Sequence, residues 1–207
     1  MTSTMKAAIF EKYGQPFHVT TIPRPLPRTG DVLVRIRASG INPLDLKIHD
    51  GSAAHARQLP PVVLGLDMAG IVEAVGPDVT RFKVGDEVYG MVGGVGGLQG
   101  TLAEFAAVDP DLLALKPANL SFREAAVLPL VAITAWEGLV DRMQIKCGDK
   151  LLVQGAPAAS GRRRFNSLVI SRLTCSLRAR NRAETSSSAP AQHLSNPVKR
   201  LSTTSAD

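Results

Sequence analysis

Cysteine is nearly absent from this chain. Cys147 and Cys175 are the only two in 207 residues, too few for a disulfide framework, and Cys147 sits in a polar turn with no base beside it, which suits a structural or neutral thiol. Long apolar runs are missing too: none reaches the length of a membrane span. The start, Met1-Thr-Ser-Thr-Met5, lacks the charged and apolar regions of a signal peptide, so a cytoplasmic location and no membrane partner are expected. Histidine is sparse and scattered. His18, His49, His55 and His193 show no ligand spacing, whereas tetrahedral zinc needs three or four converging ligands. Acids are scarce in one place only. Residues 157–207 carry nine Lys/Arg against Glu184 and Asp207, a local charge of +7, while residues 1–156 stand at −1. The basic average therefore belongs to the tail, and nucleic-acid affinity is not expected of the body.

What is present reads as a soluble, turn-rich chain. Hydrophobic residues make up 44% and charged residues 20%, with 18 glycines and 14 prolines, as in a mainly β domain. Residues 5–10 and 18–23 read as strands around Tyr13-Gly14-Gln15-Pro16. Pro23, Pro25 and Pro27 forbid a central strand there. A strand over 32–38 alternates from Leu33 to Arg37, and Gly40-Ile41-Asn42-Pro43 turns into a short helix, 43–49. Further strands are expected over 68–75, at 87–89 and over 102–108, with a mobile glycine-rich loop at 90–100. Tyr89 and Trp136 are expected in the core.

The period then changes. Ser121-Phe122-Arg123-Glu124 fits a capping box, in which hydroxyl and carboxylate satisfy the free N–H groups of a helix start. Helical spacing continues, past Pro129, through Ile133, Trp136, Leu139 and Val140, giving a helical linker over 121–143. Lys150-Leu151-Leu152-Val153-Gln154 is the apolar run of a buried parallel strand, and Gly155 should open a phosphate-binding turn.

Several segments together resemble the zinc-independent NADPH:quinone oxidoreductase (zeta-crystallin-like) branch of the medium-chain dehydrogenase/reductase superfamily. They are Met5-Lys-Ala-Ala, Gly40-Ile-Asn-Pro-Leu-Asp45, Leu64-Gly-Leu-Asp-Met-Ala-Gly70, Lys83-Val-Gly-Asp-Glu-Val-Tyr-Gly90, Gly100-Thr-Leu-Ala-Glu-Phe105, Thr134-Ala-Trp136 and Gly148-Asp-Lys-Leu-Leu-Val-Gln-Gly-Ala156. Each is weak alone, but order and spacing hold over about three-quarters of the chain. The resemblance implies a mainly β GroES-like domain over 1–120, followed by the start of an α/β Rossmann domain, incomplete here, over 121–156. It implies hydride transfer from NADPH or NADH to a quinone or enone, a small-molecule substrate, and a homodimer if the Rossmann domain were complete. Zinc-using relatives place Cys where this chain has Asn42 and His-Glu where it has Leu66-Asp67, so the resemblance also implies no zinc.

The same resemblance assigns candidate roles. Asn42 would lie at the floor of the substrate cleft, its amide toward a substrate carbonyl; otherwise Asn-Pro is a turn starter. Asp45 would take part in chemistry or, more simply, brace the helix. Thr134 would sit beside the nicotinamide carboxamide, or be an ordinary helical Thr. Gly155 and Ala156 would begin the cofactor turn. With no metal and no triad, catalysis would rest on positioning and pocket electrostatics. The alternative is a non-enzymatic β module that binds or oligomerises.

After Ala156 the pattern stops. The family turn would continue Ala-Gly-Gly-Val-Gly; this chain has Pro157-Ala-Ala-Ser-Gly161, and the Arg/Ser-rich remainder shows no helical or strand period. Written GCC GGC GGC GTC GGG and read one base late, the family turn becomes Pro-Ala-Ala-Ser-Gly. The family's later Ala-Ile-Gln-Leu-Ala, with synonymous codons chosen to fit, likewise becomes Arg164-Phe-Asn-Ser-Leu168. Residues 157–207 are therefore expected to be an out-of-frame, disordered basic tail on a truncated, inactive enzyme. The competing idea, an evolved tail for nucleic acid or an acidic membrane, lacks aromatic interleaving and any known module.

Overall fold

The computed structural model describes residues 3–146, 149 and 151, with the backbone of 152–153, 168–170 and 199–201. It forms two units, Met1–Trp136 and Glu137–Asp207.

In the first unit, β1 (Thr4–Phe10) pairs antiparallel with β2 (His18–Pro23) on one side and β4 (Val62–Val63) on the other. A five-stranded antiparallel sheet runs β7-β3-β5-β6-β8, built from β3 (Val32–Gly40), β5 (Asp67–Val75), β6 (Glu87–Met91), β7 (Phe105–Val108) and β8 (Ala114–Leu115). The alternation expected in β3 from Leu33 to Arg37 holds from Val34 on and fails at its start, where Leu33 and Val34 are both buried. Register shifts against β5 between Leu33 and Val34, and between Ile36 and Ala38, re-aim successive side chains as bulges do. Val32, Val34, Met68, Val72, Val88 and Val108 form the main core with Phe82.

The strand expected over 102–108 divides its allegiance. Residues 102–104 hydrogen-bond to β1, through Ala8 N–H to Leu102 O at 2.8 Å and Glu104 N–H to Lys6 O at 3.0 Å; Glu104 O then accepts from Ile36 N–H of β3 at 2.9 Å, and Phe105–Val108 pairs with β3. The glycine-rich segment is no open excursion either. Gly90 and Met91 end β6, Val92 N–H reaches Leu66 O at 2.8 Å, and Gly100 N–H reaches Val63 O at 3.0 Å. These bonds draw it onto the Val63–Leu66 backbone.

Helix α1 (Pro43–His49) drops Ile48 into a second cluster with Phe10, Ala53, Ala56 and Leu64. Helix α2 (Phe122–Ala126) starts at the expected capping box and rests Ala125 and Ala126 on Ala69 of β5. Helix α3 (Pro129–Trp136) follows. Tyr89 is partly buried beneath α2, but Trp136 is 49% exposed, as are about half of Val131 and Ile133, which corrects its assignment to the core. Apolar on all sides, α3 has no single face to bury, and only its first turn, at Pro129 and Leu130, is covered.

In the second unit Glu137–Arg142 forms a π-helical turn closed by an Arg142–Glu137 ion pair. Strand β9 (Leu151–Val153) matches the expected strand, shortened, with Leu151 buried. An incomplete Rossmann domain would leave it without parallel neighbours. Instead it pairs antiparallel with β10 (Leu168–Ile170) and parallel with β11 (Lys199–Leu201). Apart from these two strands, the expected disorder of the tail falls outside the described residues.

Candidate functional site

The chain leaves β3 at Gly40 and enters α1 at Pro43, with Asn42 as the extended N-cap between them (φ −117°, ψ 157°). Proline suits the first helical position, where its missing N–H is no loss. Three residues on, the buried Asp45 carboxylate accepts from Asn42 N–H at 2.8 Å and from Gly65 N–H at 3.1 Å. One side chain thus ties the helix start to the loop before β5.

The Asn42 side chain does more than complete the capping box with Asp45. An N-cap Asn commonly turns its oxygen to its own helix's N–H groups. Here the Nδ2 group crosses to β5 and donates to Asp67 Oδ2 at 3.0 Å. Asp67 is fully buried. Its two oxygens also face Leu130 N–H, at 3.1 and 3.3 Å, and its main-chain carbonyl accepts from the Thr101 hydroxyl at 2.9 Å. Because Pro129 has no N–H, Leu130 supplies the first donor of α3. Asp67 therefore caps, from 63 residues away, a helix that has no Ser, Thr, Asp or Asn before it. A carboxylate there also meets the positive end of the helix dipole.

Close approach makes this possible. A Cβ on Gly40 would lie 2.3 Å from the carbonyl oxygen of Ala126 and 3.1 Å from the Asp67 Cβ. Gly65, at φ +102°, would carry a Cβ 2.4 Å from Thr101 Oγ1. Both positions exclude a side chain.

Burial raises the Asp67 carboxyl above the ordinary 3.8, against the lowering effect of its bonds from Asn42 and Leu130. Burial likewise raises Asp45, opposed by the Asn42 and Gly65 N–H groups and reinforced by the Asp67 charge. Removing carboxylates from water disfavours their charged form.

Thr134 lies one turn beyond Leu130 on α3, exposed, its hydroxyl donating to Leu130 O at 2.8 Å. Gly155 and Ala156 lie outside the described residues. Among the described residues no group of three or more His, Cys, Asp or Glu is of a kind to hold a metal ion, and no helix is long and apolar enough to cross a membrane. Asp67 is the residue that sequence reading passed over. Its signal was indirect: Val127-Leu128-Pro129 offers α3 no local cap, so the cap had to come from elsewhere.

The antiparallel body with short helices at its edge defines the first unit as a GroES-like domain. Residues 28–118 match the model of the alcohol dehydrogenase GroES-like domain. The chain is 39% identical over 166 residues to a 2-methylene-furan-3-one reductase of Solanum lycopersicum, covering 77% of this chain and 42% of that protein. It is 36% identical over 137 residues to a quinone oxidoreductase of Sus scrofa, covering 66% and 40%. It is 38% identical over 146 residues to a zinc-type alcohol dehydrogenase-like protein of Staphylococcus aureus, covering 68% and 42%. Among solved structures, an alcohol dehydrogenase superfamily protein from Novosphingobium aromaticivorans superposes with a TM-score of 0.70 at 59% identity, over 71% of this chain and 44% of that one. The first unit carries the GroES-like domain of the alcohol dehydrogenase superfamily, and the chain is similar to quinone oxidoreductases within it. The chain spans about two-fifths of the length of the curated relatives it matches.

Proposed function

We propose that this chain carries the substrate side of an NAD(P)H-dependent quinone or enone reductase that works without zinc. The reading is carried by one observation: Asn42 and the start of the helix bearing Thr134 are joined through the single buried carboxylate of Asp67. When bound, the nicotinamide supplies a hydride. The residues here orient and polarise. Asn42 spends one amide N–H on Asp67 and keeps the second for a substrate carbonyl. Thr134 gives its proton to Leu130 O, and its oxygen keeps lone pairs able to accept from a carboxamide. Asp45, with both oxygens on backbone N–H groups, acts as the brace of α1 rather than as a proton carrier. Gly155 and Ala156 would open the phosphate turn, and a complete protein would form a homodimer in the cytoplasm, with no nucleic-acid partner.

The absence of zinc rests on chemistry. Leu66 is apolar and buried, and the polar atoms of Asn42 and Asp67 are bonded to each other. The tail from about residue 157 is read as translated out of frame, which leaves this chain inactive; sequencing the gene across codons 150–170 tests that directly. In the functional test, residues 157–207 are replaced by the translation of the other frame to its stop codon. The product should bind NAD(P)H and reduce a simple quinone in the presence of chelator. A folded product that binds no dinucleotide sinks the reading, and one silenced by chelator sinks its zinc-free part. The exposed apolar residues of α3 favour a second reading, a β module that self-associates. Sedimentation of the full chain, together with calorimetric titration by NADPH, separates the two.

A further inference from the structure

We propose that Asp67 is a positioning residue, one carboxylate that sets which way the Asn42 amide points and fixes it to the start of the helix carrying Thr134. The proposal rests on the reading of Asn42 and Thr134 given above. An ionised carboxylate only accepts hydrogen bonds, so Asn42 must present Nδ2 to it, and the amide oxygen is left to turn back toward the Asp45 N–H of the capping box. Asp67 cannot turn to follow another arrangement, because Leu130 N–H lies within 3.1 and 3.3 Å of its two oxygens. Its own backbone is pinned by the Thr101 hydroxyl, and Thr101 O in turn accepts from Ser39 at 2.6 Å. The amide of Asn42 and the first turn of α3 therefore share one rigid hinge point.

A merely structural cap would be built differently. Helix α2 takes its cap from the adjacent Ser121, at no cost in buried charge. In α3 the same task falls to a fully buried acid whose donors are two neutral N–H groups. Burying a charge on such terms is expensive, and costly local choices of this kind concentrate where geometry matters to function. The groups against Asp67 are Gly40 of β3, Asn42, Met91 of β6, Thr101 and Leu130 of α3, none of which titrates. The titratable neighbour is Asp45 of α1.

The test follows the full ¹⁵N-labelled chain by NMR through an acid titration, reading the Leu130 backbone amide and the Asn42 side-chain amide. In the wild type both should move with one shared midpoint, above the 3.8 of an ordinary aspartate. Asp67→Asn should abolish that shared movement, because the amide at 67 does not titrate in this range. Asp45→Asn should leave the shared movement in place. A cap that acts on the helix alone would move Leu130 and leave Asn42 still, and this result overturns the proposal. So does an Asn42 titration that persists in Asp67→Asn. The wild-type titration decides the matter even if the variant does not fold. None of these readings needs turnover, so a shared midpoint here alongside a repaired, folded product that binds no NAD(P)H removes the family role of Asn42 while Asp67's control of it stands.

Discussion

Helices α2 and α3 follow each other within fifteen residues and are started by opposite means. The cap of α2 is local and reciprocal: Ser121 and Glu124 answer each other across one turn, and the carboxylate is exposed. The cap of α3 is remote and buried, drawn from a different strand. The first can be read from four letters, and losing it costs one helix turn. The second is invisible to any local window, and losing it disturbs β5, α1 and α3 together. The comparison teaches that the same physical need, a partner for orphan N–H groups, is met cheaply where only folding is at stake and expensively where two distant elements must be held in register.

The largest effect should come from breaking the remote cap. Asp67→Ala leaves the Leu130 N–H and the Asn42 amide buried without their acceptor and should lower stability by about 3 kcal/mol, measured by urea denaturation. A loss no greater than that of a surface substitution would put the two caps on one footing. Next, Gly40→Val drives a side chain into the Ala126 carbonyl and should cost about 2 kcal/mol, with amide exchange quickened at both α2 and β5. Smaller again, Ser121→Ala should cost about 1 kcal/mol, with exchange quickened in α2 and unchanged at Leu130. Quickened exchange at both helices would mean that the caps are not independent.

The finest distinction is one of sign. Asp67 is raised in the folded protein, so its favourable contribution is complete below about 3.8 and is lost as pH rises through the folded value. Glu124, bonded by the Ser121 N–H and hydroxyl, is lowered from 4.5; its contribution is present above that value and is lost as pH falls through the folded one. Between about pH 3 and pH 7 the urea midpoint of the wild type should therefore decline relative to Asp67→Asn and climb relative to Glu124→Gln. Parallel slopes would break the contrast.

What the sequence made legible was what neighbours decide. The helix over 43–49, the strand over 18–23 and the box at Ser121 follow from proline, glycine and capping residues within a few positions of one another. The bulges of β3 were not legible, because they depend on β5 pairing across the sheet. Nor was the divided strand at 102–108, whose first half meets β1 at a separation of nearly a hundred residues. Of the candidate site, Asn42, Asp45 and Thr134 came from resemblance, and their connection through Asp67 came only from the fold. The exposure of Trp136 was misjudged because an apolar helix reads as core whether or not anything lies against it.

That exposure has a practical side. Trp136 is the chain's one tryptophan, and it stands half in water on the last turn of α3, beyond Thr134. Indole fluorescence reddens in water and moves to the blue when water is stripped away, and reduced nicotinamide absorbs where indole emits. The protein therefore carries its own optical gauge. Any molecule that settles on this helix should shift or quench the emission without a label, and a dinucleotide should do so by energy transfer that the oxidised form cannot support.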